Sequence, residues 1–115
     1  MRVVYIAGRF SAATQWQRRR NVHAAESLAL AVAEAGAIPL NPLKNTEEFW
    51  GQLAEEFWYE GTRELLCRCD AMILVPNWEG SKGVTDELGV AKLNDIPVFE
   101  RVDELKKWLS KEETA

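Results

Sequence analysis

The sequence predicts a single-domain α/β protein built on a parallel sheet of four to five strands with helices on both faces. Short apolar runs at Arg2–Ala7, Ala37–Leu40, Ala71–Pro76 and Pro97–Phe99 alternate with amphipathic stretches of helical length, as successive strand–helix–strand units require. The runs lack polar alternation, which marks strands covered on both sides. A chain of 115 residues supplies one core and not two. Together these describe a Rossmann-like, flavodoxin-like arrangement, with the domain over residues 1–110 and a frayed tail at 111–115.

Each element has a local reason. The first strand stops at Gly8, where a tight turn is expected, and a loop follows over Arg9–Gln15. From Trp16 to Ala35, Val22, Ala25, Ala29 and Val32 share one helix face, and Gly36 is placed as the C-cap. The second strand closes at Asn41-Pro42; Lys44-Asn45-Thr46 reads as a loop whose threonine caps the next helix. That helical region spans Glu47 to Cys69 with a break at Gly61, turning Phe49, Leu53 and Phe57 inward, then Leu65, Leu66 and Cys69. After the third strand, Asn77–Gly80 is a loop and Ser81 caps a helix. The fourth strand and a closing helix, Val102–Leu109, complete the pattern.

Composition removes several classes of function. With 47% hydrophobic and 28% charged residues, and only seven glycines and four prolines, the chain is globular and not disordered. A net charge of −4 leaves no basic footprint for nucleic acid, and Arg18-Arg19-Arg20 is too short to make one. Cys67 and Cys69 are read as reduced packing residues, since two positions apart on a helix they point in different directions. With one histidine and no further cysteine, no metal site is expected. No GxGxxG occurs, so no dinucleotide cofactor is expected, and no apolar run approaches the roughly 18 residues of a membrane span. The expected compartment is the cytoplasm.

The residue that stands out is Glu87. It shares the stripe Val84, Glu87, Leu88, Ala91, whose offsets of three, four and seven define one helix face that should be buried. A desolvated carboxylate costs several kcal/mol unless it has a partner, a raised pKa or a pocket. It is either a nucleophile or general base at a reacting carbon, or half of a buried pair with an arginine or Tyr5. Asp86 faces another way and reads as an ordinary surface acid. Tyr5 lies near the end of the first strand, and ligands in open parallel sheets bind beyond the carboxyl ends of strands. Both side chains therefore address one crevice.

Ser81 and Gly83 begin the same helix. Unpaired N–H groups and the positive dipole end suit a phosphate there, although a plain N-cap accounts for the serine equally. Gly8 serves the turn after the first strand. Trp78 either stacks on a flat ring or packs on the surface. Arg9 and Arg18 to Arg20 either neutralise phosphate or are solvated, and His23 reads as a surface or packing residue.

Tyr5-Ile6-Ala7-Gly8, Leu65-Leu66-Cys67-Arg68-Cys69-Asp70 and Ser81-x-Gly83-x-x-x-Glu87 followed by Ala91 resemble the nucleoside 2-deoxyribosyltransferase-like superfamily over most of the chain. The likeness is greatest to small bacterial and phage members carrying Tyr-Ile-Ala-Gly-Pro and Gly-Trp-Glu-x-Ser-x-Gly; here the second stretch is Asn77-Trp78-Glu79-Gly80-Ser81-Lys82-Gly83. The superfamily includes deoxynucleoside 5′-monophosphate N-glycosidases. The resemblance implies that Glu87 attacks the anomeric carbon, Tyr5 orients it and Ser81 binds the 5′-phosphate. It also implies a nucleoside or nucleotide ligand, with Gly8, Arg9, Trp78 and Gly83 around it, and a homodimer or larger assembly. The acid that such enzymes place about eight residues before the aspartate preceding the third strand falls on Thr62, which cannot donate a proton near neutral pH. The usual proline after Gly8 is Arg9, and a histidine common near the end of the second strand is Leu43. A non-catalytic nucleotide binder is the alternative that Thr62 suggests.

Overall fold

The structure, a computed structural model, describes residues 1–49 and 51–114, the side chains of residues 47 and 112–114 excepted. Strands β1 (Val3–Ala7), β2 (Ile38–Leu40), β3 (Ala71–Leu74) and β4 (Val98–Phe99) form one parallel sheet in the order β2-β1-β3-β4. Tyr5 pairs with Leu40 on one side and Met72 on the other, so β1 is interior. Asp70 fixes the entry to the sheet: its carboxylate accepts from the Val3 N–H at 2.8 Å, and its own N–H donates to the Val3 carbonyl at 2.8 Å.

Side-chain alternation along β1 and β3 divides the interior in two. Val4, Ile6, Ala71 and Ile73 face α1 (Gln15–Glu34) and α5 (Val102–Thr114), meeting Ala25, Val32, Leu105 and Leu109. Tyr5, Ala7, Met72 and Leu74 face α3 (Glu55–Cys67) and α4 (Lys82–Leu93), meeting Leu66, Val84 and Ala91. The helices thus lie on both sheet faces, as the apolar strand runs predict. Thr14 caps α1 by accepting from the Gln17 N–H, and Gly36, at φ 104°, ends it in the left-handed conformation.

The region between β2 and α3 departs from the sequence reading. Pro42–Thr46 forms a short helix, α2, and the Thr46 hydroxyl donates back to the Pro42 carbonyl at 3.2 Å. Thr46 therefore ends a helix where a cap was expected. A proline at the first helical position needs no N–H partner, which explains a start at Pro42. A 3-10 turn, Glu47–Phe49, follows, and the break before α3 falls beside Gly51, at φ 84°, whereas Gly61 stays inside α3. Divided in this way, Phe49, Leu53 and Phe57 do not turn inward; they are 51%, 54% and 54% exposed. At the other end, α5 continues to Thr114, through residues read as a tail; Ala115 lies outside the described residues. Cys67 and Cys69 are both free thiols, the first exposed and the second buried against α3. Among the described residues, no helix is long and apolar enough to cross a membrane.

Candidate active site

The strand order places a switch point between β1 and β3. After β1 the chain leaves for α1 on one face; after β3 it leaves for α4 on the other, and the two exits part to open a crevice. Gly8 permits the approach of those exits: a β-carbon there would lie 2.7 Å from Val75 Cγ2. Its glycine requirement is therefore close packing against β3's continuation. Above this junction lies a cavity of about 470 Å³, within the range of small-molecule sites.

Tyr5, Gly8, Arg9, Thr62, Ser81, Gly83 and Glu87 all line the cavity. Trp78 does not; it packs partly buried against the Tyr5, Leu74 and Val84 core, because the loop after β3 turns it back toward the sheet. A β-turn sets that loop, with the Ser81 N–H donating to the Trp78 carbonyl at 3.0 Å and Gly80 at φ 84°. Ser81 leaves the turn as the N-cap of α4, its hydroxyl accepting from the Val84 N–H at 3.3 Å. The first-turn residues Lys82 and Gly83 border the cavity, bringing a helix N-terminus to it. A β-carbon on Gly83 would find no neighbour nearer than 3.9 Å, so this glycine leaves open space on the cavity side and relieves no internal clash.

Glu87 and Tyr5 meet on the α3–α4 side of the sheet. Tyr5 is only 1% exposed. Burial pushes the Glu87 carboxyl up to about 7, opposed by the Tyr5 hydroxyl and reinforced by the neighbouring charge of Asp86. Glu87 Oε2 is buried and accepts no hydrogen bond. The Tyr5 phenol is driven far above its ordinary range, first by burial and then by the Glu87 charge, with Thr62 the opposing influence. It stays protonated and so faces Glu87 as a donor. The Glu87 stripe is indeed the inward face of α4, with Val84 and Ala91 fully buried.

Two further buried donors border the same cavity without a partner, Arg9 Nε and Trp58 Nε1. Arg9 is steered there by its Nη2, which donates to the Glu79 carbonyl. The Thr62 hydroxyl donates to the Tyr59 carbonyl within its own helix at 3.0 Å. Glu60 and Glu64, on the same helix, are not among the lining residues.

Several lining residues escaped the sequence reading. Glu55, Trp58 and Tyr59 stand at offsets seven, four and three before Thr62, the same α3 face. That spacing was available in the chain, but the apolar positions Phe49, Leu53 and Phe57 pointed to a different face as the inner one. Asp86 also borders the cavity, and its charge reaches both Glu87 and Tyr59, so it is not the detached surface acid its helix position suggested. Among the described residues, no group of three or more histidine, cysteine, aspartate or glutamate side chains gathers to hold a metal.

Comparison with known proteins agrees with the architecture. The fold is similar to that of a 2-deoxyribosyltransferase from the psychrotolerant bacterium Bacillus psychrosaccharolyticus, with a TM-score of 0.61 and 19% identity over 84% of this chain and 69% of that one. What the two chains share is the α/β fold. A search of curated proteins finds no match. The family model described as "Domain of unknown function (DUF4406)" matches residues 2–100, and the chain belongs to that family.

Proposed function

We propose that this protein cleaves or transfers the N-glycosidic bond of a nucleoside or nucleoside 5′-monophosphate, with Glu87 as nucleophile. The observation that carries this reading is the buried, unpartnered Oε2 of Glu87 bordering a cavity of ligand size, on a carboxyl whose pKa lies at about 7. A carboxylate with one oxygen left without a donor is costly to bury and free to attack through that oxygen, a combination suited to an anomeric carbon developing positive charge. Tyr5 orients it and favours its ionised form. The start of α4 at Ser81 and Gly83, together with the Arg9 guanidinium, suits a 5′-phosphate or the sugar hydroxyls in its place.

In the forward step the Glu87 carboxylate attacks the anomeric carbon as the base departs, giving a glycosyl-enzyme intermediate that water or a second base resolves. The similarity to a 2-deoxyribosyltransferase supports this choice of chemistry over others open to the same fold. Base release from a panel of 2′-deoxynucleosides, ribonucleosides and their 5′-monophosphates, with and without acceptor bases, tests it. Turnover that Glu87→Gln abolishes is expected, and no turnover across the panel overturns it.

A second reading, a non-catalytic nucleotide binder, is favoured by Thr62, whose hydroxyl is committed to the Tyr59 carbonyl. It predicts thermal stabilisation by a nucleotide without product, about 2.7 kcal/mol at a hundredfold excess over Kd. We further propose a homodimer or larger assembly, supported by the exposed Phe49, Leu53 and Phe57, and a cytoplasmic location, which two free thiols suit.

A further inference from the structure

We propose that Tyr59, held by Glu55, donates the proton that the departing nucleobase needs. The proposal rests on the glycosidic reading above and supplies the step that Thr62 cannot. Five residues of α3 border the cavity: Glu55, Trp58, Tyr59, Thr62 and Arg63. Of their side chains, Tyr59 is the one that pairs a transferable proton with a carboxylate to fix it: its hydroxyl donates to Glu55 Oε1 at 2.9 Å.

Alternatives within the cavity fail on chemistry or placement. Arginine does not give up a proton in a protein, which removes Arg9 and Arg63. Tyr5 is buried beneath the cavity and serves Glu87. Asp86 is the chain neighbour of Glu87 on α4, exposed and held by no hydrogen bond among the described residues, whereas Tyr59 stands on a different helix, α3, and is held by Glu55. Carboxylates surround the phenol, Glu55 and Glu56 from α3 and Asp86 from α4, and they hold its proton on. It therefore enters the reaction as an acid.

The step balances as follows. The Glu87 carboxylate forms a bond to the anomeric carbon, the C–N bond breaks with its electron pair going to the base, and the Tyr59 hydroxyl turns from Glu55 to give its proton to that base. The phenolate left beside Glu55 then takes a proton from the water that attacks the same carbon. This restores Tyr59, frees Glu87 and releases the sugar. Glu55 is a positioning residue: it holds the phenol at the cavity before the base arrives and, by opposing the phenolate, returns the proton to it quickly.

Tyr59 is 47% exposed, so Tyr59→Phe should fold normally, which circular dichroism and thermal melting check. The experiment compares wild type and Tyr59→Phe on 2′-deoxynucleosides with ordinary bases and on one with an N7-methylated purine, which departs without needing a proton. The variant is expected to lose roughly 10²- to 10⁴-fold on the ordinary bases and less than about tenfold on the methylated one. Equal losses on both, or none on either, overturn the proposal while leaving Glu87 chemistry intact. A wild-type protein that cleaves neither substrate overturns the underlying reading, and this proposal with it. Glu55→Gln should bring the alkaline limb of the pH profile to lower pH, since a carboxylate that opposes phenol ionisation is gone. An unmoved limb assigns Glu55 no positioning role and overturns that half of the proposal.

Discussion

Tyr5 and Glu87 act in opposite senses on one another across the α3–α4 side of the sheet: the phenol favours the ionised carboxylate, and the carboxylate disfavours the ionised phenol. Burial raises both groups, the phenol's hydrogen bond pulls the carboxyl back down, and the carboxyl's charge drives the phenol further up. The pair settles with the proton on Tyr5 and the carboxyl poised near neutrality, where it changes charge within the physiological range.

Glu87 should therefore weaken the fold as pH rises. Its folded pKa of about 7 lies above the ordinary 4.5, so the native state binds its proton more tightly than the unfolded chain. The stability this gives is fully present below about pH 4.5 and is lost as pH climbs through 7, a change on the order of 3 kcal/mol. Glu87→Gln should come nearest to wild type at about pH 4 and exceed it at pH 8 in urea denaturation. Parallel curves for the two proteins from about pH 4 to 8 would sink the assignment.

Tyr5→Phe removes the hydroxyl that lowers the Glu87 pKa while keeping the ring packed. The acidic limb of the pH profile for kcat/KM should move to higher pH, reducing activity at pH 7 far more than at pH 9. A uniform loss at every pH would instead mark Tyr5 as a purely geometric element.

Two glycines of the cavity should respond oppositely to alanine. Gly8→Ala sets a β-carbon against Val75 and is expected to cost about 1–3 kcal/mol, read as a lower denaturation midpoint. Gly83→Ala meets only Ser81 Oγ, at an ordinary 3.9 Å, and should leave stability unchanged or slightly raised, while blocking the start of α4 and weakening nucleotide-induced stabilisation. Equal destabilisation by both would contradict the distinction.

Leu53→Ser and Phe57→Ser replace exposed apolar side chains at the start of α3 and should cost the folded chain little. Sedimentation of wild type is expected to give a dimer or larger species that the double variant converts to monomer. A wild-type monomer at high concentration refutes the assembly.

Much of this molecule could be read from its residues because its local signals agree with its global packing. Continuous apolar strands, Gly36 at a helix end and Ser81 before a helix each have one sensible structural meaning, and the structure gives them that meaning. Glu87 was visible for the opposite reason, as a charge inside a stripe that should carry none. The stretch from Pro42 into the first turn of α3 was opaque because Phe49, Leu53 and Phe57 mimic an inward helix face, whereas a break beside Gly51 divides it and leaves all three outside. Glu55 and Tyr59 stayed hidden since a polar pair one turn apart reads as surface decoration until a cavity is seen beside it. Trp78 looked like a ring-stacking cover because the chain does not disclose which way its turn folds.

The sheet acts as a partition between two kinds of evolutionary freedom. Val32, Leu105 and their neighbours behind it bear on whether the domain persists, while the layer carrying Tyr59, Thr62 and Glu87 lines the cavity proposed as the active site. Residues of one layer have few ways to strain those of the other through an intervening wall of Val4, Ile6, Met72 and Ile73. Under the proposed chemistry, a lineage on this scaffold is free to exchange an acid at position 62 for one elsewhere on α3 and keep the rear core as it stands.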